Sequence, residues 1–410
     1  MRDQVTTPIY LDHAATTPLS DAAWAAMAPH LRATYGNASA MHHIGRAAHD
    51  VKEGSRAEIA VALGVDADEI ILTGSGTEAD NLALFGLTHA ARARGRHLIV
   101  SQVEHQAVLE AALRLERDGW EVTYLPVDAW GRVSVEAVLE ALCPETVLVS
   151  VMLGNNEIGT IEPVAKIAAA VRAHAPNPEQ PPLIHTDACQ AVGMLPVVPR
   201  ELGVDALTIN SSKIYGPKGV GALYVRRGVA IDPHVIGGHQ ERGRRAGTEN
   251  VALIAGFAAA LSEAVERQAA EAARLSALRD AFFAELSERV PQCIQNGHPT
   301  ERLPHNVHVC VPDVEGESLV LLLDQVGICA ATGSACASFD LEPSYVLSAI
   351  GRDEEIIHGS VRFSLGRETT KAQLSYVAEQ FGAAVSRLSR ITASPFIHAR
   401  TTGTRAQCAR

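Results

Sequence analysis

From about residue 50 onward the chain alternates short apolar runs with longer amphipathic stretches, and this alternation limits its fold more than any other feature. "EIILTG" leads into "GTEADNLALFGLTHAARARG", "HLIVS" into "EHQAVLEAALRLERDG", and "EVTYLP" precedes "SVEAVLEAL". "TVLVSVML", "LIHTDACQA", "ALTINSS" and "GALYVRR" follow in turn. Continuous apolar runs rich in β-branched residues suit strands buried on both faces, and the stretches between them have the length of helical crossovers. The expected class is α/β, a mostly parallel sheet with helices on both faces.

Beyond residue 248 the pattern changes. Thr248 is expected to N-cap a long helix through "VALIAGFAAALSEAVERQAAEAARLSALRDAFFAELSERV". After it, "HNVHVCV", "GICAAT" and "SVRFSLG" read as short strands separated by helices, a smaller α+β unit. We place the boundary inside the long helix, near residue 265. The large domain then spans 15–265, the small domain combines 1–14 with 266–390, and 391–410 is an unpatterned tail.

Composition narrows the function classes. The chain has 410 residues, 47% of them apolar, enough for a large core or two domains. A net charge of −12 argues against broad nucleic-acid binding and against adhesion to an acidic membrane surface. The longest apolar stretch is interrupted by Ser262 and Glu263, which suits a buried helix better than a membrane span. Arg2 and Asp3 follow the first methionine, a poor start for a signal peptide. The seven cysteines are scattered without any CxxC, and an odd count suggests reduced thiols and a cytoplasmic protein.

Only five of the 35 basic residues are lysine. Lys213 closes the run "LTINSSK" just before a glycine turn, where an amine that can shed its proton has a use that guanidinium lacks. Asp187 ends "LIHTD", 26 residues earlier. "LTGSGTEADN" is a strand, a turn and a helix opening at Gly76 and Thr77, either a simple cap or a phosphate cradle. A Schiff-base lysine, an aspartate for a pyridinium nitrogen and a phosphate cradle are the parts that hold pyridoxal 5′-phosphate. Lys218, beyond Pro217, faces solvent or a carbonyl in this reading. His105 begins a helix after a strand, placed either as a structural residue or as a flat ring that lies over a cofactor and moves protons. Asn156 in "GNNEIGT" suits the cofactor hydroxyl or a substrate carboxylate. Cys336, among Gly, Ser and Ala in "ATGSACASFD", suits an accessible nucleophile, whereas Cys310 and Cys329 sit in apolar runs as buried thiols do. Arg362, mid-strand in "SVRFSLG", needs an anion: a substrate carboxylate or a buried structural partner. His42, His43 and His49 lack the carboxylate or cysteine of a metal set, and no metal site is expected.

These segments stand in an order that resembles the cysteine desulfurases of the NifS/IscS type, which are class-V aminotransferase-like, fold-type-I pyridoxal-phosphate enzymes. The resemblance covers about residues 9–385 through "YLDHAATTP", "GNASAMHHIGR", "LTGSGTEADN", "EHQAV", "GNNEIGT", "TDACQAVG", "SKIYGPKGVGALYV", "GGHQERGRRAGTEN", "TGSACAS" with "LEPSYVL", and "VRFSLGRETT". It implies conversion of L-cysteine to L-alanine with sulfur passed to an enzyme persulfide, for iron–sulfur cluster assembly or another sulfur-transfer route. A selenocysteine lyase or another pyridoxal-phosphate β-lyase would share every cofactor residue. The resemblance implies that Lys213 carries the cofactor, Asp187 pairs with the ring nitrogen, Gln190 with the ring hydroxyl, and His105 stacks on the ring. Gly76 and Thr77 would hold the phosphate, joined by Thr248 from the second subunit of a homodimer. Asn156 and Arg362 would bind the substrate carboxylate, and Cys336 would accept the sulfur and hand it to a partner such as an iron–sulfur scaffold. The chain departs from the family where Asn210 and Ser212 replace the usual serine and histidine; both can still donate to phosphate. "GNASA" also lacks a usual proline and serine, and the segment past residue 390 has no match.

Overall fold

The computed structural model describes residues 8–333 and 343–392. In chain order its strands are β1 (Ile9–Tyr10), β2 (Ile70–Thr73), β3 (His97–Ser101), β4 (Glu121–Leu125), β5 (Thr146–Ser150) and β6 (Leu183–Asp187). Then come β7 (Ala206–Asn210), β8 (Gly221–Val225), β9 (Ile294–Gln295), β10 (Asn306–Cys310), β11 (Ile328–Cys329) and β12 (Ser360–Ser364). Seven of these form one sheet in the order β2-β8-β7-β6-β5-β3-β4. Every neighbouring pair is parallel except the two that involve β8, which runs against both β2 and β7. The seven apolar runs of the sequence supply these seven strands.

The sheet is covered on both faces because successive side chains point to opposite sides. Ile99, Val149, Ile184 and Leu207 pack with Ile59, Leu63, Ile167, Phe257 and Leu261 from helices on one face. Leu98, Val100, Leu148 and Leu223 pack with Leu82, Leu87, Val108 and Leu115 from the helices Gly76–Ala91 and Gln106–Arg117 on the other. Good local signals start these helices. Ser75 Oγ accepts the Glu78 N–H at 3.1 Å, and His42 Nδ1 accepts the Gly45 N–H at 3.2 Å, so His42 serves as the cap of the helix His43–Leu63.

The long helix is Val251–Arg289, 39 residues. Its cap is Asn250, whose Oδ1 accepts the Leu253 N–H at 3.2 Å, and not Thr248, which is exposed two residues earlier. The first part of this helix packs on the main sheet through Phe257, Leu261 and Ala264. The second part, from Leu275 through Phe282 to Leu286, packs against β10, β12 and the helix Lys371–Thr392. There Phe363 meets Phe282 and Phe381 edge-on, with ring centroids 5.3 and 5.7 Å apart. β12, β10 and β9 form an antiparallel sheet, and β1 pairs in parallel with β11, so the start of the chain joins this second core through Leu11. Among the described residues no helix is long and apolar enough to cross a membrane.

Candidate active site

The carboxyl ends of β2, β3, β5, β6 and β7 open onto one cavity of about 210 Å³, the place where open α/β sheets bind ligands. Of the predicted residues, Gly76, Thr77, His105, Asn156, Asp187, Gln190, Asn210, Lys213 and Arg362 line it. Ser212 and Thr248 do not line it. The Ser212 carbonyl instead accepts the Thr17 backbone N–H at 2.9 Å. Cys336 and the residues beyond 392 lie outside the described residues. Cys310 is fully buried, as its apolar run suggested, but Cys329 is only partly so.

Lys213 follows β7 in a single 3₁₀ turn that Asn210 caps by accepting the Ser212 N–H at 3.2 Å. That bond engages Asn210 Oδ1 and leaves Nδ2 beside Gly76. Lys213 Nζ donates to the carbonyls of Ala14 (2.9 Å) and Ala15 (2.5 Å). Burial is the largest influence on this amine and lowers its pKa; Arg362 acts the same way, while Cys189, Asp187 and Asp12 oppose. Lys218 reaches the Thr17 carbonyl at 2.7 Å.

Asp187 closes β6, and its Oδ1 accepts the Cys189 N–H at 2.8 Å. Gln190 Nε2 donates to the Ala14 carbonyl at 2.8 Å, which leaves its Oε1 as an acceptor. His105 caps the helix Gln106–Arg117, with Nδ1 accepting the Ala107 N–H at 3.1 Å. The neutral ring therefore carries its proton on Nε2. Burial lowers its pKa, with Asp187 opposing.

Arg362 is buried on β12, opposite His308 of β10. Nη2 donates to Asp12 Oδ1 at 2.8 Å and Nη1 to the Asn156 carbonyl at 2.9 Å. Of the two alternatives raised by the sequence, the structure shows the buried carboxylate partner, Asp12, and the residue also lines the cavity. Its Nε and the Oδ1 of Asn156 are buried and meet no partner among the described residues.

Several cavity residues were not singled out from the sequence. Asp80, Glu157, Met152, Cys189 and Tyr345 all line the cavity. Glu157 accepts the Ser344 hydroxyl at 2.6 Å, and burial pushes its pKa up. Glu104, beside His105 in sequence, is fully buried and ties β3 to the turn after β5. Its Oε1 accepts the Ser101 hydroxyl at 2.6 Å and the Met152 N–H at 2.8 Å. Burial raises the Glu104 carboxyl to about 8. Asp80 could have been found from its position three residues after Thr77 on one helix face. Asp12 is 350 residues from its guanidinium partner, and no local pattern joins them.

The residue set fits an aromatic aldehyde that carries a phosphate. Lys213 supplies the amine, Asp187 a carboxylate at a strand end, and the start of the helix Gly76–Ala91 backbone N–H groups for an anion. At Gly76 an added Cβ would lie 3.0 Å from Cys189 Sγ and 3.1 Å from Asn210 Cβ, so a side chain would crowd the cradle.

Comparison with known proteins gives one answer. The aminotransferase class-V family matches residues 9–377. The cysteine desulfurase IscS of Dictyoglomus turgidum is 46% identical over 384 residues, 94% of this chain and 96% of that protein. The cysteine desulfurase IscS of Methanosarcina thermophila is 44% identical, with 94% and 93% covered. Among solved structures, a NifS-like protein aligns with a TM-score of 0.86 at 34% identity, covering 92% of this chain and 99% of the other. SspA in complex with cysteine aligns at 0.75 and 32% identity, covering 87% and 98%.

Proposed function

Since the chain belongs to the class-V aminotransferase family, in its cysteine desulfurase branch, we propose the following division of labour among its residues. The overall reaction takes L-cysteine and an enzyme thiol to L-alanine and an enzyme persulfide. The family depends on pyridoxal phosphate, and in this chain Lys213 would hold its aldehyde carbon, Asp187 its ring nitrogen and Gln190 Oε1 its ring hydroxyl. Gly76, Thr77 and Asn210 Nδ2 would take the phosphate. When bound, the group supplies a sink for the electrons released at the substrate's α-carbon.

The chain's own residues do the rest. Arg362 and Asn156 take the substrate carboxylate through N–H donors, Arg362 Nε, which meets no partner among the described residues, and Asn156 Nδ2. Lys213 Nζ, whose pKa burial lowers, accepts the α-proton as a neutral amine. His105 moves protons through Nε2 on the ring face. The Cys336 thiolate attacks the substrate sulfur. A sulfur–sulfur bond forms, the carbon–sulfur bond breaks, its electron pair stays on carbon, and that carbon takes up a proton to give alanine.

Thr248 is exposed and off its own chain's cavity, which supports a homodimer in which it reaches the partner's phosphate site. Ser212, also off the cavity, acts on that site only through the turn that carries Lys213. The sulfur passes to an acceptor protein such as an iron–sulfur scaffold, in the cytoplasm.

The observation that carries this reading is the convergence of Lys213, Asp187, His105 and Arg362, from four separate segments, on one cavity. Borohydride treatment of the purified yellow protein, followed by peptide mapping, is expected to fix a pyridoxyl group on Lys213. Cysteine-dependent alanine and sulfide release should be lost in Cys336→Ser while the colour stays. A Cys336→Ser protein that releases sulfide at the parental rate, or a pyridoxyl group on another lysine, overturns the assignment. Parallel rates on selenocysteine separate a desulfurase from a selenocysteine lyase.

A further inference from the structure

The lining of the cavity includes a carboxyl that the reaction above does not use. Asp80 is one turn into the helix Gly76–Ala91, three residues after Thr77, and lines the same cavity as Asp187. The residue is 1% exposed. Asp80 Oδ1 meets no hydrogen-bond partner among the described residues and stands 3.8 Å from His185 Nε2. The Thr208 hydroxyl hydrogen-bonds the carboxyl.

The neighbours decide its charge. His185 and Asp187 are two residues apart on β6 and so share a sheet face. His185 is fully buried between Ser150 Oγ (2.8 Å from Nδ1) and Thr208 Oγ1 (3.1 Å from Nε2). Burial pulls its pKa down to about 4, so it brings no positive charge to Asp80. The remaining groups that face Asp80 are the Thr208 hydroxyl on β7, the Cys189 thiol and, after β3, the buried Glu104 carboxyl, and none of them brings a positive charge. No guanidinium bonds to it among the described residues. Asp187 differs, since a backbone N–H donates to its Oδ1 and Asp187, not Asp80, is among the groups that act on the Lys213 amine. Two confined carboxyls without a counter-charge between them do not both ionise. Burial first, and then Asp187, hold the Asp80 carboxyl well above the usual range.

We propose that Asp80 is a neutral acid and a positioning residue, which confines the negative charge at the ring-nitrogen end of the cavity to Asp187 alone. This rests on the cofactor reading above. It separates two carboxyls of one type by environment: Asp187 faces the cofactor as the anion, and Asp80 supports it from the helix side.

The test compares the parent with Asp80→Asn, Asp80→Ala and Asp187→Asn. An amide copies the shape and the donor–acceptor pair of a neutral acid. Asp80→Ala is therefore expected to weaken pyridoxal phosphate binding about tenfold, and Asp80→Asn to restore it to within about twofold of the parent. A second readout needs no cofactor. A carboxyl with a raised folded-state pKa contributes stability that is complete below its ordinary pKa of about 3.9 and is lost as pH rises through the folded value. Between roughly pH 5 and pH 8 the melting temperature of the cofactor-free parent should thus fall more than that of Asp80→Asn, by about 2 °C or more. The proposal is overturned if Asp80→Asn weakens binding as much as Asp187→Asn does, or if the two melting profiles coincide. A parent that fails to bind the cofactor refutes the cofactor reading instead, and the melting comparison still decides the state of Asp80.

Discussion

Asn296 turns its Oδ1 to the Arg352 guanidinium at 2.8 Å, which leaves its Nδ2 to donate to His308 Nδ1 at 3.0 Å. His308 then carries its proton on Nε2, a buried donor that meets no partner among the described residues. A Cβ added at Gly333 would lie 2.6 Å from that nitrogen, so only glycine fits this stretch of cavity wall. Burial, reinforced by Arg362, Arg302 and Arg352, brings the His308 pKa down to about 3. With a lowered folded value, its contribution to stability is full above the ordinary histidine pKa and is lost as pH falls toward the folded one. His308→Asn keeps an acceptor for Asn296 and removes the titration. From pH ~6.5 down to ~4.5 the parent is expected to lose stability faster than the variant, by about 1.4 kcal/mol per pH unit, measured as urea unfolding of the cofactor-free proteins. Parallel curves would refute the argument. At this scale the sequence named Lys213, Asp187, His105, Asn156 and Arg362, because their side chains carry chemistry that bland residues cannot. It did not name Asp80 or Glu104 as neutral acids, since a carboxyl's charge state depends on burial and on neighbours from other segments.

Glu241 shows how one side chain joins whole elements. It is buried and accepts both Nη atoms of Arg56 from the helix His43–Leu63, at 2.6 and 2.7 Å, and the Leu72 N–H of β2 at 2.9 Å. Arg56 in turn donates to the Ile70 carbonyl at 3.0 Å. The pair thus ties a helix to an edge strand, and it does so from a left-handed backbone at Glu241 (φ 49°) followed by another at Arg242 (φ 58°). Removing one member of such a buried pair leaves the other charge without compensation, so Glu241→Ala is expected to cost about 3–5 kcal/mol in urea unfolding. A loss under about 1 kcal/mol would mean that water replaces the carboxylate freely. The elements themselves were legible: seven apolar runs with buried-strand composition became the main sheet. Other features were not. Thr and Asn are both good caps, so local preference could not choose between Thr248 and Asn250. β1 and β9, two residues each, have no periodicity to detect.

At the scale of the molecule, the cavity draws its walls from both cores. Lys213 and Asp187 stand on the main sheet, while Arg362 stands on the second sheet, and the helix Val251–Arg289 packs on both. Ala269 is exposed on the stretch of this helix between Ala264, the last residue in the first core, and Leu275, the first in the second. Ala269→Pro should cost about 3 kcal/mol or more and kink the helix there. Borohydride trapping at Lys213 should survive, since its surroundings lie on the first core, while KM for cysteine rises at least about tenfold as Arg362 shifts. An unchanged KM with a lowered melting temperature would show that the two cores keep their relation without a straight helix. The sequence by itself determined the strand and helix succession, the parallel sheet and the residue types that could serve a pyridoxal enzyme, because periodicity and side-chain chemistry are local. Only the tertiary structure decided that Asp12 and Asn156 share Arg362, that Asp80 and Asp187 line one cavity, and that Ser212 and Thr248 stand off it. Those outcomes depend on distances across hundreds of residues and on the exclusion of water, which no local pattern encodes.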